Sequence, residues 1–441
     1  MTSTTPAPEV RDKTWLSYLL MILWVGMISA PIIESDTYRY TALTLVGLGY
    51  FFFRENYRLL KGDYFAYLCI AWGVYAFLRF AYGVFVLDEK GTSEWLYVFP
   101  IFFPGLGIAL YSSRRYVFPA ISLFMAIALT ALLLSTDYSG ILTGERTFPL
   151  FHNNPIHSAI GCGLIVIGAF YWMLEAGETG RLAGWKKHVI LATGLLTIAL
   201  GLFNIYGAKS KGVWLALIFT VVVMAATSFL HQHRRYLVPL LIGALTLLAI
   251  GLYTVQDNIE EFAGPTYDAA VNLSENALQA PSIEGAMRSA IDAPETPDSM
   301  RERLELWSNA LELITTAPLF GHGNDWLRLW RQTTYGGTRY VLLHNGYLEI
   351  LVRHGFFGLT LLGISIVISW RRLREAYRRR VISHSTLMCA YVLTVFFMVT
   401  LFSNSNNRLA LGESFFMVMA AAVFAISFLS KTSAEASGNR T

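Results

Sequence analysis

Charge is what this sequence has least of. Of its 441 residues, 15% are Asp, Glu, Lys or Arg and 54% are hydrophobic, and the mean hydropathy is +0.47. Soluble domains carry roughly 25% charged residues, so a string of soluble domains is excluded. The apolar content also excludes a disordered chain. A net charge of +4 makes no basic patch and speaks against nucleic acid as a partner. Cysteine is scarce as well. Cys69, Cys162 and Cys389 lie singly in apolar runs, without metal-ligand spacing or the even count of a disulfide framework. There is no Asp-x-Asp, Gly-x-Ser-x-Gly, Walker loop or His-Glu-x-x-His. Neither a metal nor a cofactor is therefore expected.

What is present is long apolar runs. About twelve lie near 14–34, 38–53, 63–87, 94–111, 115–135, 156–175, 186–206, 212–230, 235–255, 346–370, 384–403 and 411–430. Most approach the roughly 20 residues that cross a bilayer. The expected fold is all-α: a polytopic membrane protein with about twelve transmembrane helices. Residues 1–255 carry nine spans, 256–345 a large and partly helical outer loop, and 346–441 three spans and a tail. The polar start, Met1 to Lys13, runs into a full-length span with no signal-peptide cleavage site. Lys and Arg in short loops set the orientation. With the N-terminus cytoplasmic, one side collects Arg11, Lys13, Arg54, Arg58, Lys61, Arg114, Arg115, Arg181, Lys186, Lys187, Arg234, Arg235 and the run Arg371 to Arg380. The other side collects Glu34, Asp36, Asp88, Glu89 and the long loop, and an even count puts both termini inside.

The first part of the outer loop, Asp257 to Ser299, is acidic. It carries Gly264-Pro265, Pro281, Pro294 and Pro297 and reads as irregular or loosely helical. Ser299-x-x-Glu302 then gives a capping box. Leu304, Trp307, Leu311 and Ile314 follow at helical spacing, and Pro318 ends the element. This predicts an amphipathic helix near 300–316, its apolar side on the bundle or in the lipid interface.

Several cations fall on the outer side, against the orientation rule: Arg146, Lys209, Lys211, Arg301, Arg303, Arg339, Arg353 and Arg408. A structural ion pair explains any one of them more readily than a site does. Several converging from separate loops on one face point to an anionic ligand, phosphate or pyrophosphate. Arg79, within the third span, snorkels or pairs inside the bundle and is not assigned to the site. Among nine histidines, His354 reads as a hydrogen-bonded core residue and His322 lies in a turn. His344 is the last polar residue before the tenth span and shares the face of the cations. Anchoring a helix start is its plainer reading. A general base is the functional one, because an unperturbed pKa near 6.5 suits proton transfer.

Three stretches resemble the O-antigen ligase and O-antigen polymerase superfamily of bacterial envelope glycosyltransferases. They are Ala208-Lys209-Ser210-Lys211-Gly212-Val213-Trp214; Arg303-x-x-x-Trp307 with Ala317-Pro318-Leu319-Phe320-Gly321-x-Gly323; and His344-Asn345, nine residues, then Gly355-Phe356-Phe357-Gly358. The likeness covers roughly residues 200–370. One departure is Lys211, where the family has Arg. Lysine binds phosphate as a point charge without the bidentate fork, and Lys209 beside it is the alternative contact.

The resemblance implies an inner-membrane enzyme of a Gram-negative bacterium with its active site at the periplasm. It implies metal-independent, inverting transfer of O-antigen glycan from undecaprenyl pyrophosphate to lipid A-core, in lipopolysaccharide biosynthesis. It implies His344 as base and Lys211, Lys209 and Arg303 at the pyrophosphate, with Arg146 and Arg339 as weaker candidates. Trp307 is expected to pack rather than stack on sugar. An O-antigen polymerase joining two lipid-linked glycans is the alternative, although the spacing after His344 favours the ligase. A transporter of an anionic solute would also explain the cations, but the sequence has no internal repeat or paired broken helices.

Overall fold

The computed structural model describes residues 14–91, 94–180, 184–229, 282–294, 296–338 and 341–438, with isolated positions between 264 and 278. Among these residues the regular structure is helical, save one parallel β-bridge between Ile33 and Phe151. The chain is an all-α polytopic membrane protein. In order come α1 (Thr14–Met27), α2 (Thr37–Phe52), α3 (Tyr64–Phe85), α4 (Phe103–Ser112), α5 (Val117–Ser135), α6 (Tyr138–Leu142), α7 (Pro155–Glu178), α8 (Trp185–Gly207) and α9 (Lys211–Phe229). After the large loop begins, α10 (Ile283–Asp292), α11 (Asp298–Thr316), α12 (Trp326–Trp330), α13 (Gly346–Arg378), α14 (His384–Thr400) and α15 (Ala410–Gly438) follow.

Among the described residues, seven spans are long and apolar enough to cross a membrane, and three shorter apolar helices accompany them. The second expected span is the 16-residue α2, too short to join the seven. The ninth, 235–255, lies outside the described residues, as does most of 257–281. The fourth span begins as a 3-10 helix, Glu94–Phe102, before α4. Pro100 and Pro104 supply no N–H there, which explains the weaker α-helical bonding.

Local chemistry sets the helix starts. Asn154 caps α7 through Ile156 N at 2.8 Å, with Pro155 in the first turn. Ser383 caps α14 through Thr386 N, and Asn345 caps α13 through Tyr347 N and Leu348 N. The expected Ser299–Glu302 box does not form. Helix α11 starts two residues earlier than a Ser299 cap would place it, at Asp298, with Pro297 at its cap and no side-chain capping bond. The extended Pro297 turns the chain into the helix, and Asp298 complements its positive end. Its exit matches expectation: Ala317, before Pro318, leaves the helical region.

Loops gather at two ends of the bundle. At one end Phe151 N donates to Ile32 O, Thr147 N to Gly207 O and Gly346 N to Leu401 O, at 2.7–3.0 Å. The α1–α2, α5–α7, α8–α9 and α14–α15 connections therefore meet the start of α13. At the other end Asp63 caps α3 and accepts from Arg372 at 2.7 Å and Lys431 at 2.9 Å. Glu178 there accepts from the start of α14 at 2.9 Å. Helix α7 is the most enclosed of the seven spans, with 72% of its apolar window buried. Large apolar side chains such as Phe51, Phe77, Phe85, Leu195 and Val222 face outward, as lipid contact requires.

The amphipathic α11 lies on the protein. Leu306, Ala310, Leu313 and Ile314 pack with Trp326, Trp330, Leu343 and Val352, while Leu304 packs on α10. Helix α13 is broken at Gly355, where φ is 62° and ψ is −163°. The freed amides of Phe356 and Phe357 donate to Pro318 O at 2.8 Å and Leu319 O at 3.0 Å. A Cβ on Gly355 would stand 2.4 Å from the Leu319 carbonyl. The Pro318-to-Gly323 stretch and the Gly355-Phe356-Phe357-Gly358 stretch are thus two halves of one joint. Replacing Gly355 with Ala adds both a left-handed strain and that clash. Gly355→Ala is expected to cost at least about 1 kcal/mol of stability, read as a lower melting temperature in detergent. An unchanged midpoint would show that the break does not depend on this residue.

Candidate active site

The end of the bundle where α13 begins collects most of the cations singled out from sequence. The turn between α8 and α9 is tied to the loop after α6. Lys209 Nζ donates to Gly144 O, and Arg146 Nε donates to Ala208 O at 3.2 Å. Gly207 has no room for a side chain, because Ile141 and Thr147 press against it. Lys209 itself is left-handed, with φ of 49°. These contacts present Lys211 on the first turn of α9, where Arg303 and Arg146 are close enough to repel its charge.

Arg303 sits on the second turn of α11 and is partly buried. It makes no hydrogen bond or ion pair with any described residue. Burial holds its pKa below the usual guanidinium value, the sign of a cation whose water has been removed without a counter-charge. Other outer cations are compensated. Arg301 bonds Asp298, Ala293 O and Thr296 O. Arg353 lies between Glu94 and Glu349, and Arg408 bonds Glu349 at 3.2 Å. Arg79 donates to Phe320 O, Gly321 O and Tyr75 Oη, so it clamps the joint beside Gly355. Arg339 lies outside the described residues.

His344 also occupies the left-handed region, with φ of 49°, an uncommon conformation for a residue with a Cβ. Its neighbours hold it there. Leu343 N donates to Glu349 Oε1 at 3.1 Å, and Leu343 O accepts from Trp307 Nε1 at 2.9 Å. Trp307 therefore packs, as expected, and fixes the residue before His344. The His344 Nδ1 lies 3.4 Å from Asn404 Oδ1. Ser403, the residue before Asn404, presses on Gly212 of α9. This contact brings the first turn of α9, with Lys211, beside the loop that meets His344. Burial and then the charge of Arg303 push the His344 pKa below its ordinary value, against the Asn404 contact, Glu349 and Glu302.

The other histidines part from this group. His322 Nε2 contacts Thr316 Oγ1 at 3.0 Å and Leu313 O at 2.9 Å, at the end of α11. His354, expected to be hydrogen-bonded, has neither ring nitrogen paired and sits among Trp72, Tyr75 and Tyr97. Aromatic packing takes the place of the bond. His152 and His157 face Glu34. Among the described residues no three His, Cys, Asp or Glu side chains are grouped to hold a metal ion.

Sequence reasoning missed Asn404 and the role of Glu349. The run Ser403-Asn404-Ser405-Asn406-Asn407-Arg408 between two apolar spans was the available signal. A mostly apolar cavity of about 230 Å³ lies between α3, α4, α13, α14 and α15, lined by residues including Trp72, Phe99, Leu361 and Met417. It does not include Lys211, Arg303 or His344. Its polar residues Asn407 and Arg408 belong to the same loop as Asn404.

The arrangement defines a membrane protein with a basic, partly desolvated recess against a neutral histidine. The family model described as O-antigen ligase matches residues 196–363, so this segment is similar to that family. The matched stretch carries Lys209, Lys211, Arg303 and His344 but not Arg146 or Asn404. An uncharacterized protein of Haemophilus influenzae is 24% identical over 182 residues, 39% of this chain and 41% of that protein. The chain thus spans about two fifths of the length of that relative.

Removing the positive charge of Arg303 should ease protonation of its neighbour. Arg303→Gln is expected to raise the titration midpoint of His344, followed by NMR of ring-labelled protein. A lowered or unmoved midpoint would separate the two side chains.

Proposed function

We propose that this protein transfers O-antigen glycan from undecaprenyl pyrophosphate to lipid A-core, at the periplasmic face of a Gram-negative inner membrane. The observation that carries the reading is Arg303, a partly buried cation with no partner among the described residues, beside His344 and Lys211. A desolvated guanidinium of this kind favours an anion, and a pyrophosphate presents both the charge and the oxygens.

In the reaction, an acceptor hydroxyl attacks the anomeric carbon. Its proton passes to the His344 imidazole. The bond from that carbon to the pyrophosphate oxygen breaks with inversion, and the leaving lipid pyrophosphate keeps the electron pair. Lys211 and Arg303 hold the charge that grows on that oxygen. Preorganised donors of this kind can contribute about 3–4 kcal/mol each. Arg146 and Lys209 act through the turn they brace, and Arg339 remains a candidate for the same anion. The apolar cavity beside α13 suits a prenyl chain. With cations opposing the developing charge, the step needs no metal.

His344→Ala is expected to abolish transfer in purified, reconstituted protein. Arg303→Ala is expected to lose at least tenfold in rate at subsaturating donor, about 1.4 kcal/mol. Normal transfer by the first variant overturns the role of His344, and an unchanged rate in the second removes Arg303 from the site. Supplying undecaprenyl-pyrophosphate glycan with and without lipid A-core tests the reaction itself. Product that depends on the acceptor supports the ligase. Longer carrier-linked glycan without it identifies a polymerase.

The lowered pKa of His344 sets the pH dependence. The base is neutral above that pKa, so the rate should fall only as pH drops below the ordinary histidine value near 6.5. An acid limb centred above 6.5 would contradict this assignment. EDTA should leave the rate unchanged, and inhibition restored by Mg²⁺ would establish a metal-dependent step.

A further inference from the structure

We infer that Asn404 is a positioning residue that holds His344 with its proton on Nδ1 and its lone pair on Nε2, aimed at the acceptor hydroxyl. The inference rests on the reading of His344 as the base. It follows from a chain of hydrogen bonds whose direction is set at its far end. Thr400 has one hydroxyl proton and donates it to Phe397 O at 2.7 Å. Its oxygen must then accept, and Asn406 Nδ2 donates to it at 2.9 Å. That orientation leaves Asn406 Oδ1 facing Asn404, whose Nδ2 donates to it at 2.7 Å. Asn404 Oδ1 is what remains for the imidazole, 3.4 Å from Nδ1. Turning both amides over would set Asn406 Oδ1 against a Thr400 oxygen whose proton is already engaged, two acceptors face to face.

The relay is rigid. Thr400, Asn404 and Asn406 are at most 1% exposed, Asn404 N bonds Thr400 O at 3.1 Å, and Ser405 Oγ bonds Glu349 Oε1 at 2.9 Å. The 3.4 Å separation is at the long end for such a bond, as in many ligand-free catalytic sites, where it tightens with substrate. An amide in this place orients the ring without adding charge. The charged groups that His344 senses are Arg303 and Glu302 on α11 and Glu349 on α13.

The test combines variants with direct observation of the ring, using undecaprenyl-pyrophosphate glycan and lipid A-core as substrates. Asn404→Leu should lose about a hundredfold in kcat with little change in donor KM. Asn404→Asp keeps an acceptor oxygen and adds a negative charge. It should retain most of the rate and move the acid limb of the pH profile upward by about one unit. Unchanged kcat and pH profile in both variants, with His344→Ala inactive, overturns the relay and leaves His344 as the base. Full activity of His344→Ala overturns both. In the unmutated protein, ¹⁵N shifts of the His344 ring, identified by their loss in His344→Gln, should show a protonated Nδ1 and a bare Nε2 above its pKa. The opposite tautomer overturns the inference whatever the variants do.

Discussion

The buried carboxylate of Glu349 is the contact on which the rest of the site depends. It is fully enclosed and takes hydrogen bonds from Leu343 N, Ser405 Oγ, Arg353 and Arg408. Arg353 continues to Glu94 at 2.9 Å, stacks 4.2 Å from the Trp326 ring, and Trp326 Nε1 bonds the same Glu94 oxygen at 2.8 Å. The Glu349 oxygens join its own segment to the Ser405–Arg408 loop, and Arg353 extends the network to Glu94, which also holds Trp326. Such a network is costly to assemble in an apolar interior, and removing one member leaves a charge uncompensated there. Its structural consequence is definition of place. Leu343, next to His344, and Ser405, next to Asn404, are both held by the same group.

The contrast between Arg353 and Arg303 separates architecture from chemistry. Both are arginines on helices at one end of the bundle, and both have lost much of their water. Arg353 has two carboxylates against it. Arg303 has none among the described residues, and the groups that feel its charge, Lys211 and His344, belong to the proposed reaction. Burial alone would have grouped the two residues. Accounting for partners distinguishes them.

Much of the fold was legible because membrane burial imposes long apolar runs and the helix starts carry their own caps, as at Asn154-Pro155, Ser383 and Asn345. Ser299 failed as a cap because the chain enters α11 from an extended proline two residues earlier, which local pattern does not distinguish from a capping box. At the site, Lys211, Arg303 and His344 were legible because each is a polar residue where apolar ones prevail. Arg146 and Lys209 were located but not understood, since their hydrogen bonds go to backbone carbonyls of each other's loops. Asn404 was hidden by distance. It stands 60 positions from His344, and nothing in its own neighbourhood says which ring it will meet. Glu349 stands one helical turn from Arg353 in the sequence, and its bonds to Leu343, Ser405 and Arg408 exist only after folding.

The break in α13 has a mechanical reading. The far arm of that helix is clamped by Arg372 on Asp63, so it is a fixed post. The near arm, from Gly346 to His354, meets that post at Gly355, and the first amides of the post, Phe356 N and Phe357 N, are held by the Pro318 and Leu319 carbonyls that follow α11. Arg303 rides on α11 and His344 just precedes the near arm, with Trp307 and Leu343 coupling the two. Arg303 and His344, the proposed anion holder and base, are therefore both carried by elements tied to the same post. Because Glu349 also ties the near arm to Ser405, the two side chains keep their places as parts of one rigid frame.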